Sequence, residues 1–136
     1  MSSSVKSLEK MISLKELIDE AVKIASFRGK TKSTAINNIL EVLESESEGE
    51  GALILTAAYV LRQASRDVID TRMARSLALK LVEIARNKDL SGPEKKENAR
   101  KLLGLIKWIA ETSEGLKVDL SKAQTFEEFV NLLAKR

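Results

Sequence analysis

ALILTAAYVL, residues 52–61, is the longest apolar run in the chain. At ten residues it falls well short of the roughly 20 needed to span a bilayer, and it suits a buried helix. We read it as a helix over Ala52 to about Ser65, apolar almost all round and therefore the central helix of its fold. On its N-terminal side SESEGEG, Ser45 to Gly51, reads as a break and a flexible acidic loop. On its C-terminal side LRQASRD, Leu61 to Asp67, turns abruptly basic.

Helical periodicity continues outward in both directions. Upstream, one helix is expected over about Ser7 to Arg28, with Leu14, Leu17, Ile18, Ala21, Val22 and Ala25 as its stripe and Gly29 past its end. A second starts near Thr31 or Ser33 and runs to about Ser47, with Ile36, Ile39, Leu40 and Leu43 inward. Downstream, Asp70 caps a helix over Thr71 to about Asn87 through Met73, Leu77, Leu81 and Ile84. SGPE sets Ser91 near a cap and Pro93 in the first turn of a helix to about Thr112, with Trp108 among its apolar residues. Ser113 to Lys122 is turn-rich. Thr125 and Glu128 have capping-box spacing, opening a last helix docked by Phe126, Phe129, Val130 and Leu133. The expectation is an all-α protein: residues 1–136 form one compact bundle of five to six helices, with 1–6 disordered, no internal repeat and Trp108 and Tyr59 in the core.

Composition narrows function. Cys and His are both absent, which removes disulfides, the thiol nucleophile, the imidazole base and the usual zinc ligand sets. The chain is expected to be non-enzymatic, without cofactor or metal, and cytoplasmic, since no signal-peptide pattern opens it. The nearest acid cluster is Glu16, Asp19 and Glu20, and a carboxylate row on one helix face is ordinarily just solvated.

Charge is unevenly spread. Residues 33–61 hold five Glu (41, 44, 46, 48 and 50) and no Lys or Arg, a net −5. The remainder holds 23 Lys and Arg against 15 Asp and Glu, a net +8. Such polarity points to an anionic partner at one surface and a different contact at the other. Two basic clusters stand out. Arg28, Lys30 and Lys32 sit in FRGKTKST, residues 27–34, at a turn between helices, where a helix N-terminus and Ser33 or Thr34 also lie. The letters GKT also close a P-loop, but Ile24 stands where its first Gly belongs, and a helix pattern precedes it in place of a strand. The second cluster is Arg62, Arg66, Arg72 and Arg75: four Arg and no Lys in fourteen residues. Arg grips phosphate with two hydrogen bonds where Lys offers a point charge. The bland alternative is pairing with Asp67, Asp70 or the Glu run. Neither cluster carries interleaved aromatics, so the expected contact is with a nucleic-acid backbone, without base readout. Lys95, Lys96, Arg100 and Lys101, interspersed with Glu94 and Glu97, read as a solvated face.

Three stretches carry a resemblance. GKTKSTAINNIL (Gly29 to Leu40), LRQASRD (Leu61 to Asp67) and ARKLLGLIKWIAET (Ala99 to Thr112) resemble segments of the small all-helical subunit of CRISPR effector complexes, the type III kind especially. The likeness covers roughly residues 20–112, and the Glu-rich segment and last helix have no counterpart in it. It implies a non-catalytic RNA-binding subunit in antiviral defence. Such a subunit stacks in several copies beside other subunits of a ribonucleoprotein and braces a guide–target RNA duplex through Lys and Arg. In that arrangement the −5 segment of one copy meets a basic face of the next.

Two further readings stand beside it. A helix-turn-helix DNA regulator would read bases from the second helix through Asn37 and Asn38, although Glu41, Glu44 and Glu46 would then face phosphates. A protein-interaction bundle would bind no nucleic acid at all.

Overall fold

The computed structural model describes residues 15–135. Among them are six α-helices, one short 3-10 turn and no strand. The helices are α1 (15–25), α2 (Ser33–Ser45), α3 (Gly49–Ser65), α4 (Thr71–Ala85), α5 (Gly92–Leu116) and α6 (Phe126–Ala134). The expected start of the first helix at Ser7 and the disorder expected over 1–6 lie outside the described residues.

The apolar spacing of each helix becomes its buried face. Ala35, Ile36, Ile39 and Leu43 of α2 are buried, as are Met73, Leu77, Leu81 and Ile84 of α4 and Leu102, Leu103, Ile106 and Ile109 of α5. α3 is central: it packs against α2, α4 and α5. It is not buried all round, however. Ile54, Leu55 and Leu61 are 44%, 48% and 45% exposed on its fourth side.

The helix starts follow from capping chemistry. Asp70 accepts from the Arg72 N–H at 2.9 Å. Ser91 and Glu94 form a reciprocal capping box (Glu94 N–H to Ser91 Oγ, 3.2 Å; Ser91 N–H to Glu94 Oε1, 3.0 Å), with Pro93 in the first turn. Thr125 accepts from the Glu128 N–H at 3.1 Å, and Asp19 of α1 accepts from the Phe126 N–H at 3.0 Å. Asp19 is therefore a cap for α6 and not a merely solvated acid.

Four expectations need correction. The break over Ser45 to Gly51 shrinks to Glu46–Glu48. The Glu48 carboxylate takes the N–H groups of Glu50 (3.1 Å) and Gly51, which starts α3 three residues early. The glycine there is required by contact: a Cβ on Gly49 would overlap the backbone of Gly92, whose Cα lies 2.8 Å away. α5 runs one turn beyond Thr112, because buried Ser113 donates to the Val118 carbonyl (2.8 Å) and Lys117 closes the helix in the left-handed conformation, φ 55°. Trp108 is not core: it is 53% exposed and stacks on Phe126 with centroids 6.1 Å apart. Val130 is likewise exposed, and α6 docks through buried Phe129 with Phe126 and Leu133 beside it.

Candidate nucleic-acid interface

The two basic clusters, far apart in sequence, meet at one end of the bundle. The α1–α2 connection (26–32) packs on the α3–α4 connection (66–70). The Asp70 N–H donates to the Thr31 hydroxyl at 2.8 Å, and Thr31 is buried. Gly29, at φ +52°, lies so close to Asp70 that a Cβ would stand 2.7 Å from its carboxylate oxygen. The Arg72 guanidinium lies over the Phe27 ring, 5.6 Å from the centroid. A shallow cleft lined by Gly29, Lys30, Thr31, Asp67, Asp70 and Thr71 runs between the two turns.

The turn is no phosphate cradle. Gly29 follows a helix, and the Asp70 carboxylate occupies the space against it. Burial pushes that carboxyl up, but the Arg72 side chain and backbone N–H more than offset it and hold it below the usual range. The start of α2 carries no side-chain cap: Lys32, not Ser33 or Thr34, is the capping residue.

The seven expected cations divide by what they touch. Arg28 is a structural tie, since its Nη1 donates to the Thr31 carbonyl (2.9 Å) and to Glu114 Oε1 (2.8 Å), and its side chain is only 19% exposed. Arg72 makes two long bonds to Asp70, both 3.4 Å, yet stays 68% exposed. Lys30, Lys32, Arg62, Arg66 and Arg75 are exposed and have no ion-pair partner among the described residues. The bland alternative holds in part: Arg72 pairs with Asp70, while among the described residues no arginine of the cluster pairs with Asp67 or the Glu run. Lys117, on the segment next to Arg28 and Glu114, is a further exposed cation that the sequence did not single out.

The Glu run pairs within the chain, at the other end of α3. Arg100 bonds Glu44 through Nε (2.6 Å) and Nη2 (3.2 Å), and also bonds Glu97. Lys96 donates to the Glu46 carbonyl (2.8 Å) and lies 3.8 Å from Glu44; Lys95 lies 3.8 Å from Glu50. The hydrogen bond from Arg100 holds the Glu44 carboxyl below its ordinary value, against the effect of burial. Thus Lys95, Lys96 and Arg100 are not just a solvated face, and most of the −5 segment is engaged by its own chain. With α3 rising about 1.5 Å per residue, its arginine end lies about 25 Å from this paired end.

The connection before α2 is seven residues (26–32), longer than the tight turn of a helix-turn-helix, and Asn37 and Asn38 lie exposed on α2. No protein-family model, no curated protein and no solved structure matches the chain. Among the described residues, no helix is long and apolar enough to cross a membrane.

Proposed function

We propose that this protein is a non-catalytic subunit that binds the phosphate backbone of a nucleic acid through Lys30, Lys32, Arg62, Arg66 and Arg75, with Arg72 alongside. One observation carries the reading. Lys95, Lys96, Arg100 and Lys107 of α5 are matched by the chain's own carboxylates, whereas five cations from two distant segments share one end of the bundle with no such match. An unmatched cationic end costs electrostatic free energy in the isolated protein, and an anionic partner recovers it. The Phe27 ring at this end is already covered by the Arg72 guanidinium, which favours backbone contact over base stacking.

The resemblance of three segments to the small subunit of type III CRISPR effectors gives this reading its specific form. In that form the partner is guide or target RNA, the setting is a cytoplasmic ribonucleoprotein in antiviral defence, and other subunits do any cutting. Stacking through the acidic segment loses support, because Glu44 is held by Arg100 and the Glu48 carboxylate caps α3.

The test is binding of unrelated single-stranded RNA, duplex RNA and duplex DNA by the wild type and by Arg62→Glu/Arg66→Glu. Sequence-indifferent RNA binding that collapses in the variant supports the proposal. Selective binding of one DNA sequence would move the assignment to a regulator, and no binding at about 50 mM salt would reject it.

A further inference from the structure

Apart from Arg62 at its edge, the fourth side of α3 has no role in the reading above. Ile54, Ala58, Leu61 and Ser65 recur at helical spacing along it, with Leu55 and Arg62 beside them, and all six are exposed. Three half-exposed aliphatic side chains on one central helix gain nothing from a phosphate backbone. They call for an apolar partner.

We infer that this face pairs with the same face of a second copy, α3 antiparallel to α3 across a two-fold axis. Charge selects that occupant. The stripe ends in Glu50 on one side and in Arg62 and Arg66 on the other, and neither arginine has an ion-pair partner among the described residues. Antiparallel pairing centred on Ala58 brings the arginine end of each copy to the glutamate end of the other, twice by symmetry. It sets Leu61 of one copy against Leu55 of the second. The small side chain of Ala58 at the crossing lets the two backbones approach. Antiparallel helices also place each positive N-terminal pole beside a negative C-terminal one. Glu50 already lies 3.8 Å from Lys95 but keeps 58% of its side chain exposed, so it remains within reach. A parallel pair would set arginine beside arginine and glutamate beside glutamate. The contact closes on itself, unlike the open stacking expected from the sequence.

One helix per copy makes a small interface, so the expected Kd is on the order of tens of micromolar. Sedimentation velocity from about 1 to 500 μM spans that range. The mass should rise from the 15.0 kDa of one chain toward twice that value. Ala58→Arg, on an exposed position, should hold the protein monomeric with an unchanged helical CD melt. Glu50→Arg alone and Arg62→Glu/Arg66→Glu alone should each weaken the dimer about tenfold, and the triple variant should recover most of the loss. A monomer at every concentration overturns the inference, as does a dimer indifferent to Ala58→Arg. If the monomer instead binds a synthetic acidic amphipathic helix in a Leu61-dependent way, the face belongs to a different protein and the inference also fails. Arg62 and Arg66 belong to both readings, but the inference does not rest on nucleic-acid binding, since the mass is read without nucleic acid and Ala58→Arg leaves every proposed backbone-binding cation in place.

Discussion

The backbone N–H of Asp70 donates to the hydroxyl of Thr31 across 39 residues of sequence, at 2.8 Å. That bond joins the turn bearing Lys30 and Lys32 to the turn between the Arg62–Arg66 and Arg72–Arg75 pairs. Thr31 is buried, so removing its hydroxyl leaves the Asp70 N–H without this acceptor. Thr31→Val should destabilise by about 1–3 kcal/mol, and Thr31→Ser by less, since it keeps the acceptor. Urea denaturation of both variants checks the order.

Glycines at different sites should respond with opposite sign. Gly49 lies against the Gly92 backbone, so Gly49→Ala forces α3 and α5 apart and should cost about 2 kcal/mol or more. Gly104 sits inside α5 with nothing within 4 Å of a built Cβ, so Gly104→Ala should stabilise by about 0.5–1 kcal/mol. Thermal melts of the two variants should move in opposite directions.

Lys117 closes α5 at φ 55°, a conformation that costs a side-chain-bearing residue about 1 kcal/mol. Lys117→Gly should raise the urea midpoint, because glycine adopts this backbone without that cost.

The carboxyls of Glu44 and Asp70 titrate below their ordinary values in the fold. Each therefore binds its proton more readily when unfolded. Their contribution is present above the unfolded pKa, near 4.5 for Glu44 and 3.8 for Asp70, and is lost as pH falls through the lower folded values. Stability should decline as pH drops below about 5. Glu44→Gln should flatten part of that decline, modestly, because the Glu44–Arg100 pair is solvent-screened. Urea midpoints between pH 7 and pH 3 measure it.

What was legible in the sequence was local. Ser91 with Glu94, Asp70 before its helix and Thr125 before Phe126 are short-range signals, and each opens the helix expected of it. What was not legible depends on distant partners. Gly49 and Gly51 look like a break until Gly92 is seen against Gly49. Arg28 looks like a ligand for phosphate until Glu114, 86 residues away, is found on its guanidinium. The Glu run looks available to a neighbour until Arg100 reaches Glu44. Trp108 fits the apolar rhythm of α5, and periodicity alone does not separate a core position from a rim position stacked on Phe126.

The measurement that bears most directly on the account is the slope of log affinity against log salt for one RNA duplex. It should be taken for the wild type, Arg62→Gln/Arg66→Gln and Arg28→Gln. Each phosphate contact contributes a slope of about −0.7 to −0.9. The double variant should flatten the slope by about 1.4 to 1.8 and weaken binding of every sequence alike. Arg28→Gln should lower stability and leave the slope unchanged, because that guanidinium is held by Thr31 and Glu114. An unchanged slope in the double variant, or a slope that flattens only in Arg28→Gln, would contradict the assignment.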